Sequence, residues 1–320
     1  MLASNVEVQV KKIFKHAREG SYGTRDKYES VCNDFARHCH EKFKLNNLRN
    51  MGDKHIASYA KAMQERGLQG KTIKTNMGAI RYMHNRIDRP RYRELSENRQ
   101  LQEKFELKFE KVKAINGNRA WTENEYNRMQ EITRQMVVGK QSETAQVVSD
   151  CMVLSRTMGL RVAESACVHR SQAEQAIRTG IYQVGREAKN GKPREVPLSL
   201  EARRMFERRL AVTDRGQRLF VKPGDKAHHV INRMEKFIER HRDKVVTVEG
   251  IENRVDLRDG STRELTWHGL RYGYVQDRME TEIIRHGHTW EEAAKTVSLE
   301  VGHNRTEVIK IYDGGATYQD

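Results

Sequence analysis

The sequence predicts a mainly α-helical protein of the α+β class, with small β-hairpins in its second half. Apolar residues recur every three or four positions through much of the chain, which is the spacing of amphipathic helices. The 320 residues include only 4 Pro, so few positions interrupt a helix. Two short strand-like segments, 181–184 and 195–198, flank an Asn-Gly pair, which is a hairpin signal.

Residues 1–113 are predicted to form a small all-helical domain. A first amphipathic helix is expected over residues 5–18, and Thr24 is a fair N-cap for the second helix. Asp53 is expected to cap a third helix, and Gly67 lies just past its end.

The fourth helix of this domain carries basic residues outside its apolar stripe. Its apolar stripe leaves Lys74 and Arg81 outside the core, where they can face phosphate groups. Pro90 ends this element, and a charged helix is predicted over residues 93–113.

The charge is positive and unevenly distributed. The chain has a formal net charge of +15 and a pI near 9.7, which indicates a polyanionic partner. Residues 1–113 hold 25 Lys and Arg against 14 Asp and Glu, or +11, and residues 114–320 hold 34 against 30, or +4. We therefore expect residues 1–113 to form a DNA-binding module, joined to a second domain whose positive charge is concentrated at one site.

An Asn-Gly-Asn turn cluster marks the domain boundary, with a linker at 114–119 and a second domain at 120–320. Thr122 and Glu125 form a capping box that opens the first helix of this domain. Ser142 is expected to begin the next helix, which ends near Gly159.

Further helices and a second hairpin are predicted downstream. Ser199 caps a basic helix, and another helix is expected over residues 226–240. Residues 244–265 alternate weakly and suggest a second hairpin. Helices are then predicted after Trp267, over residues 290–301, and through the segment that ends at residue 312.

Several function classes are disfavoured. The N-terminus does not resemble a signal peptide and no apolar run is long enough to span a membrane, so we expect a cytoplasmic protein associated with the nucleoid. The four Cys lack a C-x-x-C pair, which favours reduced structural thiols over zinc. The sequence also lacks a P-loop or a Mg²⁺-binding carboxylate cluster. His286 and His288 are interpreted as solvated loop residues rather than ligands.

The last fifty residues carry groups suited to phosphoryl transfer. His268 and Arg271 are three apart and share a helix face, while His303 follows a Gly and precedes Tyr312 by nine residues. A phosphodiester gains negative charge as it is attacked, and Arg and His can stabilise that charge with directed hydrogen-bond donors. Tyr can act as a covalent nucleophile, so the pattern indicates a phosphoryl-transfer site acting on DNA.

The motifs together resemble the tyrosine recombinase (phage integrase) family. They are Arg161 in GLRVAE, Lys189 in the KNGKPREVPL hairpin, His268 and Arg271 in WHGLR, and His303 and Tyr312 at their spacing. The resemblance covers residues 120–312. The helical region before it resembles, in layout, the SAM-like core-binding domain of the family.

The resemblance implies a role for each motif residue. Arg161 and Arg271 would clamp the scissile phosphate, with His268 beside them, His303 at the second His/Trp position, and Glu164 supporting the first arginine. Lys189 would be the general acid on the leaving 5′ oxygen. Tyr312 would form a 3′-phosphotyrosine.

Alternatives exist for two of these roles. Lys192 competes with Lys189 as the hairpin acid, although counting back seven residues from Val196 favours Lys189. Tyr272, Tyr274 and Tyr318 compete as nucleophiles, although only Tyr312 has the family's spacing from His303.

The family implies a site-specific recombinase or integrase that cleaves and rejoins double-stranded DNA, for integration or excision of a mobile element. It also implies a tetramer on two DNA sites, accessory DNA-bending proteins, and neither ATP, metal nor another cofactor. The alternatives are a type IB topoisomerase-like enzyme, which relaxes supercoils without a second site, and a catalytically silent DNA-binding regulator on the same fold.

Overall fold

The chain folds into two compact units, Met1–Lys113 and Ala114–Asp320, hereafter unit 1 and unit 2. The computed structural model describes residues 4–20, 22–109, 115, 117–136, 142–185, 187–188, 191, 193–303 and 305–314. The residues of the linker predicted at 114–119 belong to unit 2.

Unit 1 contains five described α-helices around its own apolar core. They are α1 Asn5–His16, α2 Tyr22–Phe43, α3 Asp53–Glu65, α4 Gly70–His84 and α5 Asn98–Phe105. Buried side chains from every one of them meet in this core, including Val10, Phe35, Ile56, Met77 and Leu101. The apolar stripes predicted at helical spacing are therefore the interior of unit 1.

Three local predictions in unit 1 need correction. Helix α2 begins at Tyr22, so Thr24 lies inside it rather than capping it. Asp53 is the first residue of α3 instead of its cap, and its carboxylate accepts hydrogen bonds from Ser96 N at 2.9 Å and Ser96 Oγ at 2.7 Å. Among the described residues of 93–109, the charged helix predicted over 93–113 is limited to α5, because the chain turns left-handed at Glu106, where φ is 56°.

Unit 2 is also mainly helical. Its helices are α6 Glu123–Gln135, α7 Ser142–Met158, α8 Val162–Ala166, α9 Arg170–Thr179, α10 Leu200–Leu210, α11 Ala227–Val245, α12 Val248–Asn253, α13 Trp267–Glu280, α14 Trp290–Glu300 and α15 Ile309–Tyr312. The predicted caps hold: Thr122 Oγ1 accepts from Glu125 N at 3.2 Å, and Ser199 Oγ accepts from Ala202 N at 3.1 Å. Helices α7 and α13 pack together within the core of this unit.

The predicted hairpin is a two-stranded antiparallel sheet formed by β1 Ile181–Val184 and β2 Arg194–Pro197. Tyr182 pairs with Val196, and both side chains are fully buried, which fixes the register of the hairpin against the core. Lys189 and Lys192 near its tip lie outside the described residues.

The second hairpin predicted over 244–265 is largely wrong. Helix α11 runs to Val245, α12 follows, and the only described strand-like feature is one antiparallel bridge between Val255 and Thr262. Thr247 caps α12 by accepting from Gly250 N at 3.0 Å. The weak alternation read as strands belongs to a short capped helix followed by a loop.

A buried ion pair fixes this α12 segment to the start of α6. Arg254 donates to both carboxylate oxygens of Glu125, at 2.5 and 2.8 Å, and both side chains are fully buried. A Cβ on Gly250 would lie 2.0 Å from Glu125 Oε1, so the close approach needs glycine.

Among the described helices, none combines the length and apolar character needed to cross a bilayer.

Candidate active site

The phenol of Tyr312 lies in a pocket of unit 2 and is largely buried. Its hydroxyl oxygen is 3.3 Å from Arg271 Nε, which donates to it, and 3.3 Å from His303 Nε2. The Tyr312 ring packs against Tyr272, with ring centroids 4.6 Å apart, and His268 lies 5.8 Å away by the same measure. Two of the sequence-predicted groups, Arg271 and His303, thus meet at the Tyr312 hydroxyl, and His268 lies near its ring, although Tyr312 and Arg271 are 41 residues apart.

Two backbone carbonyls hold the guanidinium of Arg271 in place. Arg271 lies on α13 and is almost fully buried. Its Nη1 donates to Gly159 O at 2.5 Å, and its Nη2 donates to Val301 O. Burial, together with the positive charges of Arg161 and Arg194, lowers the pKa of Arg271 to about 10, which still leaves it cationic at neutral pH.

Arg161 shares one of these carbonyls. It is the N-cap residue of α8, and its Nη2 donates to Val301 O at 3.3 Å. Glu164, one helical turn later, accepts from Arg161 N and from Arg161 Nη1, both at 2.8 Å. Val301 O therefore brings Arg161 and Arg271 side by side, and two adjacent guanidinium groups can bind one phosphate.

Beneath this pair lies an arginine that the sequence analysis missed. Arg194, the first residue of β2, donates to Glu164 Oε1 at 2.9 Å and to Glu164 Oε2 at 2.6 Å. Its Nε also donates to Glu300 O at 2.7 Å, at the end of α14. Arg194 thus joins the hairpin, the Glu164 carboxylate and the segment that carries Val301 into one layer.

The Glu164 carboxylate is kept ionised inside the protein. Burial would raise its pKa, but the hydrogen bonds and charges of Arg194 and Arg161 outweigh that effect and hold the pKa at about 2. A buried carboxylate with two arginines is satisfied in hydrogen bonding and leaves net positive charge at the pocket. This agrees with the supporting role predicted for Glu164.

His268 lies at the edge of the pocket near a second residue that the sequence analysis missed. Desolvation of the ring, followed by the charges of Arg271 and Arg119, lowers the pKa of His268 to about 4, even though the residue is exposed. The positive charges of the surrounding arginines favour the neutral imidazole. Arg119 is exposed beside this histidine and adds another cation near the pocket.

Glycines at two turns allow the close packing of the site. Gly159 has φ +61°, and a Cβ there would lie 2.4 Å from the Tyr274 ring. Gly302 has φ +67°, and a Cβ there would lie 3.1 Å from Arg194 Cδ. Both positions combine a left-handed backbone with a close neighbour, so glycine is the residue that fits.

The rival tyrosines occupy different environments. Tyr274 is buried and donates its hydroxyl hydrogen to Glu300 Oε2 at 2.8 Å, so that oxygen faces an anion. Tyr272 packs on the Tyr312 ring, and burial raises its pKa. Tyr318 lies outside the described residues. Tyr312 is thus the tyrosine whose hydroxyl contacts Arg271 and His303.

The other predicted residues belong to unit 1 or lie outside the described residues. Lys189 and Lys192 are outside the described residues, so the structure places neither of them. In unit 1, Lys74 Nζ lies 5.6 Å from the centroid of the Phe109 ring. Arg81 donates from Nε and Nη2 to Ser96 O, at 3.1 and 2.6 Å, so part of its guanidinium serves the fold of unit 1.

Comparison with known proteins agrees with this architecture. Residues 3–92 match the family model described as phage integrase, N-terminal. The Tn1549 transposon integrase in complex with transposon right end DNA has a TM-score of 0.53 at 14% identity, covering 98% of this chain and 95% of that one. The XerH site-specific recombinase bound to palindromic difH substrate has a TM-score of 0.57 at 15% identity, covering 98% and 81%. Comparison with curated protein sequences gives no match.

The fold of the chain, mainly helical with a small antiparallel hairpin, is similar to that of the Tn1549 transposon integrase and the XerH site-specific recombinase. More narrowly, residues 3–92 are similar to the N-terminal domain of phage integrases. The fold class predicted from the sequence is therefore confirmed, and the match over residues 3–92 agrees with the family resemblance.

Proposed function

We propose that this protein is a site-specific DNA recombinase that cleaves and rejoins DNA strands through a covalent tyrosine intermediate. The observation that carries the proposal is the contact of the Tyr312 hydroxyl with Arg271 Nε and His303 Nε2, each at 3.3 Å. A nucleophile, a cation and a base are thereby held at one point. The adjacent Arg161 supplies a second guanidinium for the substrate phosphate.

In the proposed cleavage step, the Tyr312 oxygen attacks the phosphorus and the bond from phosphorus to the 5′ oxygen breaks. A tyrosine has an ordinary pKa near 10, so its proton must leave during the attack, and His303 Nε2, 3.3 Å from the hydroxyl oxygen, would accept it. The product is a 3′-phosphotyrosine and a free 5′ hydroxyl. Rejoining reverses the step with a 5′ hydroxyl as the attacking group.

The two arginines would stabilise the extra negative charge of the pentacoordinate phosphorus. Arginine has five N–H donors, and those described for Arg271 reach Gly159 O, Val301 O and the Tyr312 hydroxyl. A bound phosphate would take the remaining donors, while the carbonyls keep the guanidinium in position. Donors that are fixed before the reaction are the most effective for charge stabilisation.

The leaving 5′ oxygen requires a proton, and we assign this role to Lys189, with Lys192 as its rival. The support is the hairpin itself, since β1 and β2 are paired and Arg194 anchors β2 beneath Glu164. A lysine near the tip of an anchored hairpin can reach a phosphate that Arg161 and Arg271 hold. Cleavage of a 5′-bridging phosphorothiolate, which needs little protonation, should rescue the variant of whichever lysine is the acid.

The proposed substrate is double-stranded DNA from a mobile element, with Lys74 and Arg81 of unit 1 and Lys192 of unit 2 among the contacts. The net charge of +15 supports a polyanionic partner. Exchange of strands between two sites would use a tetramer, and accessory DNA-bending proteins would help to assemble it. Action on the chromosome would place the protein in the cytoplasm, at the nucleoid.

Substitution Tyr312→Phe tests the central claim. The variant keeps the ring that packs on Tyr272 and loses only the oxygen, so DNA binding should persist while the covalent adduct disappears. The measurement is a detergent-resistant protein–DNA adduct on suicide substrates, with Tyr272→Phe as the matched control. An adduct of normal yield from Tyr312→Phe would rule out this nucleophile. Exchange between two marked DNA sites then separates a recombinase from an enzyme that only relaxes supercoils.

A further inference from the structure

Two histidines and a glutamate converge on one point after α13, away in sequence from the residues assigned to cleavage. His288 Nδ1 is 2.8 Å and His286 Nδ1 is 3.2 Å from Glu282 Oε2. One ligand atom from each residue lies within 4.8 Å of the other two. The sequence analysis interpreted both histidines as solvated loop residues, and both are indeed exposed, but their rings also turn towards the carboxylate.

The backbone places all three groups. A π-helical turn, Thr281–Arg285, extends the end of α13 and carries the glutamate. Gly287 then adopts φ +69°, and the amide of His288 donates to Glu282 O at 3.1 Å. This chain reversal brings the imidazole of His288 back to the Glu282 carboxylate. The imidazole of His286 reaches the same carboxylate from one helical turn later. The convergence is therefore built into the main chain, in a type of helical turn that is frequent at functional sites.

The buried part of this cluster is already organised by an arginine. Arg278 Nη2 donates to Glu282 Oε1 at 2.7 Å and to Glu300 Oε1 at 2.8 Å. Oε1 of Glu282 is thus occupied by the arginine, and Oε2 is directed at the histidines. The Glu282 side chain is 6% exposed, whereas the imidazoles are about half exposed, at 51% and 44%. Solvent and ions can reach the imidazole side, while the carboxylate is fixed from behind.

We propose that Glu282, His286 and His288 form a binding site for a divalent transition-metal ion, with Zn²⁺ as the best match. Two imidazole nitrogens and one carboxylate oxygen form a donor set that Zn²⁺ accepts in proteins. Tetrahedral bonds of about 2.0–2.2 Å place neighbouring ligand atoms roughly 3.3–3.5 Å apart. Movements of about half an ångström would open the 2.8 and 3.2 Å separations to that range. Water would fill the fourth position.

The bound ion would act as a clip between α13 and α14. Helix α13 carries His268 and Arg271, and Val301, which accepts from Arg161 and Arg271, directly follows α14. The connection between these helices contains the three ligands. Metal binding would stabilise this connection against local opening and thereby raise the melting temperature. The ion lies outside the proposed chemistry, so its removal would leave cleavage in place.

The test uses the full chain without an affinity tag, first stripped of metal by a chelator. Zinc titration followed by calorimetry should give one site per chain, and cobalt substitution should give the visible absorption of a low-coordinate ion. In the double variant His286→Ala/His288→Ala, the zinc affinity should fall by at least tenfold and the cobalt band should vanish. Both imidazoles are half exposed, so these substitutions are compatible with folding.

The matched control is His228→Ala/His229→Ala, which removes two neighbouring histidines near the start of α11. This control should keep wild-type zinc affinity and the zinc-dependent rise in melting temperature. Equal zinc binding by the wild type and the His286/His288 double variant would overturn the proposal, as would equal loss in both double variants. A wild-type chain that binds no zinc at all would mean that the cluster is only a hydrogen-bonded helix end.

Discussion

Unit 2 has buried ion pairs of a kind that the described residues of unit 1 lack. In unit 1, every ion pair among the described residues has at least one side chain that is half exposed or more, as in Arg37–Glu7 and Arg49–Asp88. In unit 2, by contrast, Arg194–Glu164 and Arg254–Glu125 have both partners almost fully buried. Unit 1 nevertheless holds +11 of the net charge and unit 2 only +4.

The difference shows which charges can attract DNA over a distance and which hold side chains in position. Exposed charges add to the field around a protein, are screened by salt, and stabilise the fold by about 0–1 kcal/mol per pair. Buried pairs contribute little net attraction for DNA, but each fixes a guanidinium or a carboxylate within a low-dielectric interior. We infer that unit 1 supplies general affinity for DNA and that unit 2 supplies the positioning that chemistry needs.

The largest expected effect follows from breaking the buried layer with Arg194→Ala. Glu164 would keep its charge and lose its main partner, and removing one member of a buried pair costs about 3–5 kcal/mol. For a unit of this size that corresponds to a fall in melting temperature of roughly 6–20 °C. Calorimetry of the full chain measures it.

The matched substitution in unit 1 is Arg37→Ala, which removes an exposed partner of Glu7 and should cost about 1 kcal/mol or less. Similar losses for the two variants would break the contrast between the units. A fully stable Arg194→Ala variant that still cleaved DNA would remove Arg194 from its positioning role.

The next effect is a pH dependence that arises from Glu164. Its pKa is about 2 in the folded protein against an ordinary value of 4.5, so the folded state favours the ionised carboxylate. The stabilisation is therefore complete above pH 4.5 and is lost as the pH falls towards 2, by an amount on the order of 3 kcal/mol. Acid unfolding of wild type and Glu164→Gln should differ in this pH window, with a shallower slope for the variant. Parallel curves for the two proteins would contradict this assignment.

A smaller effect should come from Gly159→Ala. The added Cβ would occupy a left-handed backbone position and would lie 2.4 Å from the Tyr274 ring, so the carbonyl that holds Arg271 must move. The backbone term alone is about 1–2 kcal/mol. The cleavage rate of Gly159→Ala should fall by more than its loss of folding stability explains. Gly67→Ala at the end of α3 should lower the free energy of unfolding without affecting the cleavage rate. If both variants lost the same cleavage rate for each kcal/mol of lost stability, the role of the Gly159 carbonyl would be contradicted.

Much of the fold and of the candidate site follows from local sequence signals. Helical spacing predicted the interior of unit 1, the Asn-Gly pair marked the β1–β2 hairpin, and Thr122 with Glu125 marked the start of α6. These signals work because caps, turns and amphipathic stripes depend on neighbours within a few residues.

Long-range partners could not be found in this way. Glu125 was read correctly as a capping residue, but its second partner, Arg254, is 129 residues away. Arg194 follows a lysine-rich turn and resembles a solvent-facing strand residue, because nothing near it in the sequence indicates Glu164 or Glu300. Helix α12 was missed for a related reason, since tertiary contacts override the weak preference of a short segment.

The smallest expected effect separates Lys74 from Arg81, the two residues of α4 that were predicted to face DNA. The Lys74 ammonium lies near the Phe109 ring and is held by a single weak contact, so it can contribute to phosphate binding. Lys74→Ala should weaken binding equally for all DNA sequences and should reduce the slope of log affinity against log salt by about 0.9. Lys61→Ala, an exposed lysine on α3, is the charge-matched control. Arg81 instead donates twice to Ser96 O, which is part-buried, so Arg81→Ala should destabilise unit 1 by about 1 kcal/mol through the lost hydrogen bonds. Salt titrations of binding and thermal melts of the three variants measure both quantities.

A greater loss of salt slope for Arg81→Ala than for Lys74→Ala would mean that Arg81 is the phosphate contact. An unchanged slope for both variants would place the DNA-binding face of unit 1 on another helix.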